Sequence, residues 1–131
     1  MTTPDQRRHR ILVADDEPDI VELLETLLGL AEYEIITATD GLQALTAIRQ
    51  ERPDGVILDI NMPRLDGFGV LEALRQDPPP NPPRILVLTA RYSVDDVDRA
   101  MALGATDFLA KPFSNKTLLI RVLRLVREDT A

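Results

Sequence analysis

Apolar residues are laid out along this chain in two alternating rhythms. Continuous apolar runs at 11–14, 55–58 and 85–88, and a β-branched run at 33–39, have strand length. Between them lie longer segments in which apolar positions recur every three or four residues, as one face of a helix requires. After the first run, Ile20, Leu23, Leu24, Leu27 and Leu28 line such a face, in a helix that opens near Glu17 and Pro18. Asp40 caps a second helix that turns Ala44, Leu45 and Ile48 inward and is stopped by Pro53. A turn around Met62, Pro63 and Arg64 leads to a third, holding Val70, Leu71 and Leu74. A fourth runs over about 93–103 and ends at Gly104, a fitting residue just past a helix C-terminus. A fifth strand near 106–110 and a last helix, capped by Ser114 and reaching about 127, complete the series.

Strand–helix alternation of this kind predicts an α/β fold: a doubly wound five-stranded parallel sheet, flavodoxin-like (βα)5, with strand order 2-1-3-4-5. The prolines at 78–80, 82 and 83 break the rhythm and predict a stiff, exposed loop between the third helix and the fourth strand. The expected organisation is a polar leader at 1–9, a domain at 10–128 and a short tail at 129–131.

Composition narrows the classes of function. The chain has 131 residues, no cysteine and a net charge of −7. Disulfides and thiolate metal sites are excluded, and direct non-specific binding to nucleic acid is disfavoured, since that needs cations to displace counterions. No apolar run has the length of a membrane span, and the polar N-terminal stretch lacks the apolar segment of a secretory signal, so a cytoplasmic location is expected. The single histidine, His9, belongs to a basic cluster with Arg7, Arg8 and Arg10 that reads as a solvated leader, which removes histidine-based metal or base chemistry.

The carboxyl ends of parallel strands converge on one sheet edge, where open α/β folds bind ligands. Asp15 and Asp16 follow the first strand, Asp59 the third, Thr89 the fourth and Lys111 the fifth. Three clustered carboxylates repel one another unless a cation lies among them, and an oxygen-loving ion such as Mg2+ suits them. An aspartate carboxylate is already ionised near neutral pH, so it can act as a nucleophile toward phosphorus without a general base. Lys111 and the Thr89 hydroxyl would then meet the oxygens of the transferred group.

Taken together, the LVADDE run at 12–17, LDINMP at 58–63, LTA at 88–90 and KPF at 111–113, with Asp66, Gly67, Gly104 and Ala105, resemble the receiver domain of bacterial two-component response regulators. The resemblance extends from about 10 to 127. It implies that Asp59 is the phosphoacceptor, taking a phosphoryl group from a phosphohistidine on a sensor histidine kinase or histidine phosphotransfer protein. Mg2+ or Mn2+ would be bound by Asp16, Asp59 and the Asn61 backbone carbonyl, with Asp15 acting through water. Lys111 would grip the phosphoryl group, and the Lys111–Pro112 peptide bond would be cis. Thr89 and Phe108 would form the switch pair, while Asn61 and Arg91 would tune the lifetime of the phosphorylated state.

The family departs from this chain in two places. Phe108 stands where a tyrosine is common, so packing rather than a phenolic hydrogen bond must separate the two switch states. Thr106 and Asp107 replace an acidic pair associated with dimers, which puts that phosphorylation-dependent homodimer in question. The resemblance implies an output protein or appended effector domain engaging the fourth helix, fifth strand and fifth helix, and the last helix is apolar over more than one stripe: Leu118, Leu119, Ile120, Val122, Leu123, Leu125 and Val126.

Three rival readings stand beside this one. A haloacid-dehalogenase-like phosphatase also uses a strand-end Asp, but Asn61 occupies the position of its second acid. A binding-only receiver would have no need of the complete polar set. A flavodoxin-like cofactor module would require phosphate-cradling backbone donors where Asp15 and Asp16 stand.

Overall fold

The structure is a computed structural model, and it describes residues 8–127. Five strands, β1 (Arg10–Ala14), β2 (Glu34–Ala38), β3 (Gly55–Leu58), β4 (Arg84–Thr89) and β5 (Asp107–Ala110), alternate with five helices. These are α1 (Pro18–Leu30), α2 (Gly41–Glu51), α3 (Gly67–Gln76), α4 (Val94–Ala102) and α5 (Asn115–Val126). The strands form one parallel sheet in the order β2-β1-β3-β4-β5, as the alternation predicted. The expected leader and tail fall largely on residues 1–7 and 128–131, which lie outside the described residues.

Register explains how so few residues build two cores. Leu12 sits beside Val56, and Val56 beside Ile85, so these three point to one face of the sheet. There they meet Ala44 and Ile48 of α2, Phe68, Val70 and Leu71 of α3 and Ala100 of α4. Their strand neighbours Ile11, Val13, Ile57 and Leu86 face the other way, onto Leu24 and Leu28 of α1 and Leu118, Val122 and Leu125 of α5. The three inner strands are buried on both faces, which is why they read as unbroken apolar runs.

The helix ends follow local chemistry. Asp40, Asp66, Ser93 and Ser114 each accept a hydrogen bond from the backbone N–H three residues on, so α2 to α5 all start with a side-chain cap. Helix α1 has no such cap and relies on Pro18 at its first position. Gly104 adopts φ +106 just past α4, a conformation that favours glycine.

Some expectations need correction. Leu23 is 37% exposed, because α1 buries a narrower stripe on the sheet than its apolar spacing suggested. Strand β2 stops one residue short at each end, leaving Tyr33 and Thr39 outside the ladder. Arg10 is not part of a solvated leader: it opens β1, and its guanidinium pairs with Glu51 at 2.8 Å. Phe68, which the reading of α3 passed over, is among the largest fully buried side chains. The proline-rich segment at 77–83 is an irregular connection between α3 and β4. Ile120 and Leu123 of α5 are 40% and 52% exposed, so the apolar excess of that helix does face outward.

Candidate functional site

Four strand ends deliver polar side chains to one edge. The ladder continues just past the strands, with the Asp15 N–H donating to the Ala38 carbonyl, Asp59 to Ala14 and Lys111 to Thr89. The side chains on these continuations are therefore placed by the sheet itself. Carboxylate oxygens of Asp15, Asp16 and Asp59 lie within 4.8 Å of one another. Asp15 and Asp59 are buried and Asp16 is exposed, so the cluster opens to solvent on one side.

The loop after each of three strands is held in the same way. The Glu17 N–H donates to Asp15 Oδ1 at 2.9 Å, the Asn61 N–H to Asp59 Oδ1 at 3.2 Å, and the Arg91 N–H to Thr89 Oγ1 at 3.1 Å. In each case the backbone two residues on turns back to the strand-end oxygen, the hydrogen-bonding habit of Asp and Thr at turns. Below the Asp59 loop the backbone is close-packed. A Cβ on Gly67 would come within 2.6 Å of the Asp59 carbonyl oxygen, so the start of α3 can pass there only as glycine.

Lys111 crosses the site from the β5 end. Its Nζ donates to Asp15 Oδ2 at 2.8 Å and to Glu17 Oε1 at 2.7 Å, and lies 3.6 Å from Asp59 Oδ2. Burial alone would lower the ammonium, but the hydrogen bonds to Asp15 and Glu17 and the charges of Asp59 and Asp15 outweigh it, so it stands above its ordinary value. The Lys111–Pro112 peptide bond is cis.

Asp59 shows the opposite balance. Burial raises its carboxyl above the ordinary range and the Asp15 charge adds to this, while Lys111, the Thr89 hydroxyl and the Asn61 N–H pull it down without restoring it. A carboxylate held this way lacks positive charge. The fit to a divalent cation follows: clustered hard oxygens, one open side and an unrelieved negative charge are what magnesium or manganese takes.

Thr89 is fully buried, and Phe108 is half-buried against the α2–α4 side of the sheet. The Phe108 ring meets Tyr92 edge-on, with centroids 5.6 Å apart, and Tyr92 is exposed. Arg91 reaches α4, where its Nε donates to Asp96 Oδ2 at 2.9 Å. Asp107 is engaged within the chain by Arg121 Nη1, at 3.0 Å from both carboxylate oxygens.

The structure thus brings Asp15, Asp16, Asp59 and Lys111 together, with Thr89 and Asn61 beside Asp59. Sequence reasoning missed Glu17 as a partner of Lys111 and Asp96 as a partner of Arg91. Glu17 reads as an ordinary acid at a helix start, whereas the Ser93-to-Asp96 spacing of a helix N-terminus was a usable signal for a placed carboxylate. No helix of the described residues is long and apolar enough to cross a membrane.

The sequence pattern of the response regulator receiver domain matches residues 11–123. The chain is 43% identical over 122 residues to the probable transcriptional regulator ycf27 of Guillardia theta, covering 93% of this chain and 47% of that one. It is 46% identical over 118 residues to the transcriptional regulatory protein PrrA of Mycobacterium tuberculosis, covering 90% and 50%. The chain spans about half the length of the curated relatives it matches. Among solved structures, the chemotaxis protein CheY4 of Vibrio cholerae superposes with a TM-score of 0.84 at 35% identity, covering 91% of this chain and 99% of that one. The BeF3-activated N-terminal receiver domain of Klebsiella pneumoniae RstA gives 0.83 at 28%, covering 92% and 100%.

Proposed function

The chain belongs to the response regulator receiver domain family, whose members are phosphoacceptor switches of two-component signalling, and on that premise we propose that Asp59 is the residue that accepts the phosphoryl group. One observation carries this assignment. Of the three clustered carboxylates, Asp59 is the buried one within reach of Lys111 that is not committed to a hydrogen bond with it.

The step forms a bond between a carboxylate oxygen of Asp59 and phosphorus, and breaks the bond from phosphorus to the donor, a phosphohistidine nitrogen. Lys111 meets the charge of the phosphoryl oxygens, and Thr89 supplies a hydroxyl donor to the same group. A bound Mg2+ or Mn2+, held by Asp16, Asp59 and the Asn61 carbonyl with Asp15 through water, would neutralise charge on the acceptor and on the incoming oxygens. Asn61 offers no acid two residues past Asp59, so a phosphatase cycle that returns a proton to a leaving group has no residue to run it.

The donor is a sensor histidine kinase or a histidine phosphotransfer protein, and output passes through α4, β5 and α5. Exposed Tyr92, Val94, Met101, Ile120 and Leu123 support that face as the one a partner covers. The curated relatives are transcriptional regulators about twice as long, which supports an effector domain as the object of the switch. Asp107 is already paired with Arg121 inside the chain, which leaves less charge there for a symmetric dimer.

The test is intact-mass spectrometry after incubation with Mg2+ and acetyl phosphate. A phosphate-sized mass gain that requires the metal and is lost in Asp59→Asn is expected. A gain that survives Asp59→Asn would move the acceptor elsewhere.

A further inference from the structure

We propose that Asp96 is a positioning residue for Arg91, holding its guanidinium on α4 until a phosphoryl group on Asp59 draws it away. The inference rests on Asp59 being the phosphoacceptor and adds a regulator of that site's lifetime.

Asp96 is 9% exposed and lies in the first turn of α4. A carboxylate so buried is costly unless it is bonded. An acid at this place in a helix would ordinarily reach back to the N-cap N–H and close a capping box. Here it does not: among the described residues, the Asp96 carboxylate accepts from Arg91, through Nε to Oδ2 at 2.9 Å and Nη2 to Oδ1 at 3.4 Å. The Ser93 hydroxyl still caps the helix by accepting from the Asp96 N–H at 3.0 Å. The carboxylate is thus surplus to the capping of α4, and its work is to fix an arginine.

That arginine stands between the two halves of the switch. Its backbone N–H donates to Thr89 Oγ1, so the residue that carries the guanidinium is fastened beside the Thr89 hydroxyl. Its Cζ lies 5.9 Å from the centroid of Phe68, the residue after Gly67, which packs on the Asp59 carbonyl. Arg99 lies closer to that ring, with its Cζ 4.1 Å from the centroid. Arg91 is therefore loosely seated except for its grip on Asp96, and its side chain is half exposed.

Phosphorylation puts roughly −1.5 to −2 charge on Asp59 near neutral pH, against the single charge of Asp96. An arginine fork fits phosphoryl oxygens as well as it fits a carboxylate. The two anions compete for one guanidinium, and Asp96 sets how much of it reaches the phosphoryl group. Hydrolysis of the acyl phosphate needs a water oxygen to bond to phosphorus as the bond to the Asp59 oxygen breaks. The products are the carboxylate and inorganic phosphate, with the proton released to solvent. A guanidinium on the phosphoryl oxygens covers the approach of that water, so weakening Asp96 lengthens the phosphorylated state.

The experiment labels the full chain with acetyl phosphate and Mg2+, removes the donor and follows loss of the phosphate mass. Asp96→Asn keeps the side-chain volume and is expected to lengthen the half-life about three- to tenfold, the span of ordinary pair couplings. In an Arg91→Ala background the same substitution is expected to change the half-life by less than about twofold. Arg91→Ala alone, which removes the group that covers the approach of water, should shorten it instead. A wild-type half-life in both Asp96→Asn and Arg91→Ala overturns the proposal, and so does an Asp96→Asn effect that persists without Arg91. Absence of labelling in the wild-type protein would instead refute the phosphoacceptor assignment, so the two failures read differently.

Discussion

Replacing Asp59 with Asn should stabilise the metal-free protein at neutral pH. The pairwise terms oppose one another: repulsion from Asp15 across up to 4.8 Å is about 3–4 kcal/mol at an effective dielectric near 20, and Asp16, exposed and within the same distance, adds a solvent-screened share. Attraction to Lys111 across 3.6 Å is about 4–5 kcal/mol on the same basis. What remains is the burial of a charge that is 4% exposed, and this leaves the carboxyl raised. A raised acid binds more protons folded than unfolded between its two values, so its contribution to stability falls as pH rises through that window. Above that window the penalty is complete, and Asn removes it. The expected gain is about 1–2 kcal/mol, the usual size of a single-site effect, or about 3–8 °C in Tm for a domain of this size. Calorimetry in EDTA at neutral pH and again near pH 4, about the ordinary aspartate value, measures it; the gain should shrink on acidification. Magnesium at about ten times its Kd should add about 1.4 kcal/mol to the wild type and much less to Asp59→Asn. A variant no more stable than wild type in EDTA, or a gain that does not depend on pH, would refute the reasoning.

Lys111→Met leaves Asp15 buried without its cation and should cost about 3 kcal/mol, seen as a lower denaturant midpoint. The same variant should slow acetyl phosphate labelling about 100-fold or more, as loss of one charge-stabilising donor does. Phe68→Ala empties a fully buried site under α3 and should cost about 3–5 kcal/mol by chemical denaturation. Phe108→Ala should keep labelling within about twofold, since the ring touches no reacting atom. It should also abolish the phosphorylation-dependent change in tyrosine fluorescence; the chain has no tryptophan and two tyrosines, so a Tyr33→Phe background assigns the signal to Tyr92. A full signal in that background would show that Phe108 does not carry the coupling.

Much of this architecture was legible because two simple rules act together. Strands buried on both faces show as apolar runs, and parallel topology sends their carboxyl ends to one edge, so Asp15, Asp59, Thr89 and Lys111 could be placed together before any coordinates. What was not legible depends on partners remote in sequence. Glu17 looks like a helix-start acid until Lys111, 94 residues away, is seen on it. Leu23 has helical spacing like Leu24, and only the actual tilt of α1 on the sheet decides which of them is covered. Phe68 lies three residues before Leu71 and belonged to its stripe; the reading began the helix's apolar face too late.

The shared turn at three strand ends explains why such a site can act as a switch rather than a static cluster. Glu17, Asn61 and Arg91 each spend a backbone N–H on the strand-end oxygen two residues before, so each loop is fastened to a polar side chain of the site. A phosphoryl group on Asp59 would replace one negative charge by up to two. Lys111 alone cannot balance that increase, since its hydrogen bonds go to Asp15 and Glu17. Added charge must then be met by a cation among the carboxylates, by Lys111 turning away from Glu17, or by Arg91 leaving Asp96. The last of these acts on the Arg91 loop, which carries both the Thr89 contact and Tyr92 on the exposed face. Burial already raises Asp59 in the resting state, so further negative charge there is costly, and the ion pairs that Lys111 and Arg91 make with Glu17 and Asp96 are the contacts free to shift toward it.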